Sequence, residues 1–143
     1  MQGLQKIVVG NDGSDYSIEA VKLVAEIAKA AGAKLDVVHV SHLPATFYAA
    51  AFETPIDLQA QMDSLRQEAE HRAKEALAAV GYDANFVVID GHPADTLVEY
   101  AEREGADLLV VGSRGAGAIE RFLLGSISDR VVHHAHCPVL VVR

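Results

Sequence analysis

A glycine-rich segment near the end of the chain has the residue types and the spacing of a phosphate-binding loop. Gly112 and Gly115 enclose a Ser-Arg pair, and nine further residues lead to Gly125 and Ser126. Because glycine has no side chain, such a loop offers backbone N–H groups to an anion, and the dipole of a following helix adds to the attraction. The spacing therefore predicts a phosphate site; the alternative is a tight turn without a ligand.

The residues on both sides place this segment between a strand and a helix. The apolar run Leu108–Val111 precedes it, as expected of a strand that is buried on both faces. The segment Ile127–Ala135 follows it and is predicted to be helical. Arg114, inside the loop, has two open interpretations: it contacts the terminal phosphate of a ligand, or it is simply solvated.

A second specialised loop follows the first apolar run, Ile7–Val9, and reads Gly-Asn-Asp-Gly-Ser from Gly10 to Ser14. Its Asp12 is a candidate metal residue, since Mg²⁺ prefers carboxylate and phosphate oxygens. Asp-Gly is also a common turn pair, so a turn role for Asp12 is nearly as well supported. Ser14 is a suitable N-cap for the next helix.

Strands and helices alternate along the rest of the chain, which predicts an α/β fold. We expect a doubly wound, five-stranded parallel sheet with strand order 3-2-1-4-5, helices on both faces and a Rossmann-like architecture. In that order the loops after strands one and four are neighbours at the reversal point, where such sheets bind ligands. The predicted elements are a helix from Ser14 to Gly32, a strand Leu35–Val40, a long helix from Leu58 to Gly81, a strand Phe86–Ile89, a helix from Pro93 to Gly105 and a last strand Val139–Val142.

Length and composition bound the class of protein. The chain has 143 residues, half of them hydrophobic, which predicts a single domain over residues 1–143. A net charge of −8 without a basic stripe argues against nucleic-acid binding. No apolar run has the length of a membrane span, no signal-peptide layout opens the chain, and one cysteine allows no internal disulfide. These features predict a cytoplasmic protein.

Other motifs give weaker signals. The histidines at 133, 134 and 136 next to Cys137 resemble a metal cluster, but zinc sites usually need four ligands at characteristic spacing, so we expect none here. The segment Ser41–Pro55, rich in aromatic residues and alanine, predicts an irregular connection or a flap. No P-loop sequence is present, and no pair of carboxylates or Ser-His-Asp set is recognisable, so no catalytic residue is predicted.

The chain resembles the universal stress protein family, in particular its ATP-binding members. The family signature Gly-x2-Gly-x9-Gly-Ser/Thr is matched by the four glycine-loop positions described above. Asp12-Gly13-Ser14 resembles the family's first loop, and Cys137–Val142 resembles its closing strand. The likeness covers nearly the whole chain apart from residues 41–58. Asn11 is a departure, because a small apolar residue is common at that position.

The resemblance implies ATP and Mg²⁺ as ligands and a homodimer formed through the last strand, Val139–Val142. We expect slow or no hydrolysis, because no group that would activate water is recognisable. The resemblance places Gly10 and Asp12 by the adenosine and near the metal, and Val40 in the adenine pocket. The remaining implied contacts are Val111 and Gly112 at the ribose and first phosphate, and Gly115, Gly125, Ser126 and Ile127 around the triphosphate, with a hydrogen bond from the Ser126 hydroxyl.

Three hypotheses of function follow from these observations. The first is a nucleotide-dependent regulatory protein of the stress response that acts on an unknown protein partner. The second is a true ATPase or nucleotidyl-transfer enzyme on the same fold. The third is a dimeric interaction module that uses no nucleotide. The first is preferred, because phosphate-positioning residues are recognisable while a group that would activate water is not.

Overall fold

The structure is a computed structural model that describes residues 3–42, 57–114 and 124–143. Gly115 and nearly all of the segment Ser41–Pro55 lie outside the described residues. The elements are β1 (Lys6–Gly10), α1 (Asp15–Ala31), β2 (Lys34–Ser41), α2 (Leu58–Val80), β3 (Asn85–Asp90), α3 (Pro93–Arg103), β4 (Leu108–Gly112), α4 (Ser126–His134) and β5 (Val139–Val142).

The strands form one parallel sheet in the order β3-β2-β1-β4-β5, which confirms the predicted fold class and strand order. In the centre of the sheet, Val9 pairs with Val37 on one side and with Val110 on the other. The order reverses between β1 and β4, so the loops that follow these two strands leave the sheet side by side. Both loops singled out in the sequence therefore begin at this reversal point.

The side chains of the central strands alternate between two cores, one on each face of the sheet. Ile7 and Val9 belong to the core beneath α1 and α2, whereas Val8 lies in the core beneath α3 and α4. All three are fully buried. Each such side chain contributes about 1.5–3 kcal/mol through the hydrophobic effect, so the sheet is fixed from both sides.

Helix ends follow the sequence signals. The Ser14 hydroxyl accepts a hydrogen bond from Ser17 N and caps α1, which ends at Gly32 with φ +68°. Gly81 ends α2 in the same left-handed conformation, with φ +74°. Glycine adopts this conformation without the steric cost that other residues incur, which explains why both predicted stops are correct. Helix α4 begins at Ser126, one residue before the predicted start.

A buried carboxylate ties the amino-terminal part of the sheet to α3. Asp36 is 2% exposed, and its carboxylate accepts hydrogen bonds from Lys6 Nζ at 2.7 Å and from the Tyr100 hydroxyl at 2.6 Å. Burial raises the pKa of the Asp36 carboxyl, but the Lys6 ammonium and the Tyr100 hydrogen bond outweigh it, so the pKa lies below its ordinary value. The folded state therefore favours the ionised form.

This lowered pKa predicts a loss of stability in acid. The contribution of Asp36 is complete above the pKa of the unfolded chain, about 3.9, and disappears as the pH falls through the lower pKa of the folded state. The free energy of unfolding, measured by urea denaturation between pH 6 and pH 2, should fall less steeply in the variant Asp36→Asn than in the wild type. Parallel curves for the two proteins would contradict this role.

Candidate functional site

A cleft opens at the carboxyl ends of β1, β2 and β4, where the strand order reverses. It encloses about 510 Å³ of empty space, counting the part open to solvent. The predicted site residues that line it are Gly10, Asp12, Val40, Val111, Gly112, Arg114 and Ile127.

Two other predicted residues, Gly125 and Ser126, are not among those that line the cleft, but they stand next to it at the start of α4. Gly125 N donates to Ser113 O at 2.7 Å, and the Ser128 hydroxyl donates to the same carbonyl at 2.8 Å. These two bonds hold the end of β4 against the amino end of α4. The two ends of the glycine-rich loop are thus brought together at the cleft.

Sequence reasoning did not assign several residues that line the cleft, notably Pro93 and Leu97 of α3. Leu97 has helical spacing with other apolar residues, so the sequence indicated a core position only. The predicted topology did contain a signal that α3 lies near the cleft. The helix between β3 and β4 must cross β2 and β1, and it begins at the edge of the sheet where the carboxyl ends of the strands lie. The other unassigned lining residues are Asn11, Ser17, Val38 and Ser128.

Gly112 is required for packing. A Cβ atom at this position would lie 2.8 Å from the carbonyl carbon and the Cβ of Tyr16, and 2.9 Å from Ser17 N. The first turn of α1 therefore passes too close to β4 for a side chain. At Gly10, by contrast, the nearest atom would be Leu97 Cδ1 at 2.9 Å, the end of a side chain that can rotate away.

The loop after β1 is held by hydrogen bonds from its own side chains. Asp12 Oδ1 accepts from Ser14 N at 2.9 Å, so Asp12 does take the predicted turn role. Asn11 is buried at 4% exposure; its Oδ1 accepts from Gly13 N at 3.1 Å, and its Nδ2 donates to Ala69 O of α2 at 2.9 Å. The amide of Asn11 thus binds this loop to α2, which an apolar residue would not do.

Arg114 is only 7% exposed and lines the cleft, which excludes the interpretation of a solvated loop arginine. Asp12 lines the same cleft, so an acidic and a basic residue border one space. A ligand that carries both an anionic group and hydrogen-bond donors complements such a pair.

The amino end of α4 differs from those of α1 and α2. A side-chain oxygen caps α1 at Ser14 and α2 at Asp57, whereas Gly125 precedes α4 with no side-chain cap. The first N–H groups of a helix have no partner within the helix, and the helix dipole makes this end positive. Backbone amides at the start of α4 are therefore suited to an external anion.

Two side chains of the histidine-rich segment, His133 and His136, contact neighbouring groups of the protein. His133 Nδ1 lies 2.7 Å from Asp129 O, and His136 Nε2 lies 3.4 Å from a carboxylate oxygen of Glu102. Cys137 is half-buried, and burial raises the pKa of its thiol, which lowers its reactivity. Within the described ranges, no group of three histidine, cysteine or acidic side chains is placed to hold a metal ion.

No helix in the described part of the chain has the length and apolarity to cross a membrane.

Known proteins are similar to this chain in sequence and in fold. A universal stress protein of Methanocaldococcus jannaschii is 38% identical over 97% of this chain and 82% of its own length. Universal stress protein UspA of Lactobacillus plantarum has a TM-score of 0.80 at 25% identity, and each chain is covered completely. A universal stress protein crystallised in complex with cAMP is 37% identical, with a TM-score of 0.67 and coverage of 99% of this chain and 98% of its own.

The sequence profile of the universal stress protein family (Usp) matches residues 3–143, that is, the chain from before β1 to its last residue. The matched range includes both loops at the cleft. This chain belongs to the universal stress protein family.

Proposed function

We propose that this protein binds ATP with Mg²⁺ in the cleft between the ends of β1 and β4 and uses the nucleotide as a regulatory ligand. The observation that carries the proposal is the convergence of three elements on one cleft: the Asp12 loop, the buried Arg114 and the uncapped amino end of α4. Together they combine a carboxylate, a cation and backbone amides, which a nucleotide and its metal ion require.

Within this proposal the cleft has an adenosine end and a phosphate end. Gly10, Val40 and Val111 surround the base and the ribose, since apolar walls with nearby backbone groups suit a purine. The phosphates lie toward the amino end of α4 at Gly125, Ser126 and Ile127, together with Gly115 and Arg114. Gly112 borders the ribose and the first phosphate.

Asp12 is the proposed metal residue. Mg²⁺ is usually held by one or two carboxylates together with substrate phosphates and water, so a single carboxylate suffices. One oxygen of Asp12 accepts from Ser14 N, which restricts the rotation of the carboxylate, and Asp12 is one of the residues that line the cleft. Mg²⁺ in this position would neutralise phosphate charge and help to orient the phosphates.

We propose slow or no hydrolysis. Phosphoryl transfer to water needs a group that positions the attacking molecule. In the described part of the chain, Asp12 is the acidic residue among those that line the cleft. Its carboxylate accepts a hydrogen bond in the turn and would also bind the proposed Mg²⁺, so it is not available to position water. The alternative, a true ATPase, predicts turnover well above background that Asp12→Ala abolishes.

The function is tested by identifying what the purified protein carries and what it binds. The protein is denatured, any released small molecule is identified by mass, and ATP–Mg²⁺, cAMP and AMP are then titrated calorimetrically. We expect ATP, released or bound on titration, with affinity reduced when Mg²⁺ is chelated. The relative crystallised with cAMP makes cAMP the second candidate ligand. Binding of none of the three would contradict the proposal and favour the nucleotide-free interaction module.

We further propose that two chains pair through β5, an edge strand of the sheet. The carbonyls of Pro138 and Val142 accept hydrogen bonds from the β4 side, at Leu109 N and Ser113 N. Because backbone groups alternate along a strand, Val141 directs its N–H outward. The variant Val141→Pro should therefore weaken the dimer while keeping the β4–β5 ladder. Sedimentation velocity checks this, and an equal dimer fraction in both proteins would contradict pairing through β5.

The remaining assignments, a cytoplasmic location, a role in the stress response and an unknown regulatory protein partner, are part of the same proposal. The protein partner follows from the regulatory use of a nucleotide, since a ligand that is hydrolysed slowly acts by shifting conformational populations or stabilising an assembly.

A further inference from the structure

Helix α2 contacts the loop that carries Asp12, although it packs on the opposite face of the sheet from the cleft. Ala73 and Leu77 of α2 belong to the core that contains Ile7 and Val9. Val38 and Leu97, which line the cleft, belong to the other core. Among the described residues, α2 contacts the cleft lining through the loop after β1, where Asn11 and Gly13 bind Ala69 and Arg72.

Arg72 of α2 makes that contact through one peptide group. A guanidinium N–H of Arg72 donates to the carbonyl of Gly13. The N–H of the same peptide group, on Ser14, donates to Asp12 Oδ1 at 2.9 Å. A charged donor at the carbonyl end polarises the peptide and strengthens the bond that its N–H makes. Arg72 and the Asp12 carboxylate are thus linked through the two ends of a single amide.

The guanidinium of Arg72 and the loop are both held in place. A second N–H of Arg72 lies 2.8 Å from Asp15 Oδ1, which fixes the orientation of the fork. Gly13 has φ +81°, and a Cβ there would lie 3.3 Å from the Cβ of Ala69, so the loop packs directly on α2. The bond from Asn11 to Ala69 O adds a second polar attachment one turn before Arg72.

We propose that Arg72 is a positioning residue for nucleotide binding, which acts on the Asp12 carboxylate through the Gly13–Ser14 peptide. This inference rests on the proposed function of the cleft. Arg72 is not among the residues that line the cleft, so its effect on affinity passes through the loop. The exposed side of α2 is thereby coupled to the occupancy of the cleft, because a ligand that fixes Asp12 also fixes the contact with α2.

The test compares ATP–Mg²⁺ affinities, by calorimetry, in matched variants of the full chain. Arg72→Met removes both hydrogen bonds but keeps an unbranched apolar stem, and we expect it to weaken binding about tenfold. Arg72→Lys keeps a cation near Gly13 O and should recover most of the loss. Lys74→Met is the control, since Lys74 is a cation two residues further along α2 that pairs with Glu70; its affinity should equal that of the wild type.

A double-mutant cycle separates positioning from general destabilisation. If Arg72 acts through Asp12, Arg72→Met should weaken binding in the wild type and have no further effect in an Asp12→Ala background. An unchanged affinity in Arg72→Met, or an equal tenfold loss in both backgrounds, would overturn the inference while nucleotide binding stands. Failure of the wild type itself to bind ATP is a different result: it would overturn the proposed function and, with it, this role of Arg72.

Discussion

Replacing Gly125 by valine is expected to weaken ATP binding at least about a hundredfold while the protein remains folded. In the proposed binding mode the phosphates approach the amides that begin α4, and a valine side chain at this position is expected to hinder that approach. Loss of two charge-assisted hydrogen bonds, at about 1.5 kcal/mol each, corresponds to a factor of this size.

The backbone at Gly125 makes this variant informative. Its φ of −62° and ψ of 158° are accessible to valine, so the substitution requires no change of the chain path. We expect the free energy of unfolding to change by about 1 kcal/mol or less, mostly through a poorer helix cap. Gly125→Ala, with a smaller side chain, should lose less affinity than valine. Wild-type affinity in a folded Gly125→Val protein would refute the assignment of the phosphate end.

The second large effect is expected at Gly112. This glycine belongs to the same signature as Gly125, but it is needed because α1 packs against it. Gly112→Ala introduces the Cβ atom that would lie 2.8 Å from the backbone of Tyr16. Since helix backbone cannot move aside as a side chain can, we expect a loss of about 3 kcal/mol in the free energy of unfolding, measured by urea denaturation.

Gly10→Ala is the matched control for this measurement. Its new Cβ would meet the end of the Leu97 side chain at 2.9 Å, a contact that a rotamer change relieves. The expected loss is about 1 kcal/mol. Equal stability of the two variants would contradict the distinction between backbone and side-chain contact, and with it the packing role of Gly112.

The periodicity of the sequence was sufficient to predict the sheet and the helix stops. Apolar runs such as Ile7–Val9 are short and continuous because the central strands are covered on both faces. Gly32 and Gly81 stand where the chain must adopt positive φ, a local requirement that the residue type itself reveals. The neighbouring position of the two loops then followed from the handedness and order of the crossovers.

The contacts that complete the site depend on distances between elements far apart in sequence, which no local pattern contains. The burial of Arg114 is a consequence of packing around the cleft and could not be deduced from its place in a loop. The hydrogen bond from Asn11 to Ala69 joins residues 58 positions apart. The approach of α1 to Gly112 is of the same kind, so the sequence revealed the glycine but not its packing role.

Amide chemical shifts on titration with ATP–Mg²⁺ would show whether ATP occupies the cleft where β1 and β4 end. We expect saturable shifts at Gly10, Asp12 and Ile127, and none at Gly105 and Ala106, which border a separate cavity. Shifts confined to the region of Gly105 and Ala106, or no shifts at millimolar ATP, would contradict binding of ATP in this cleft.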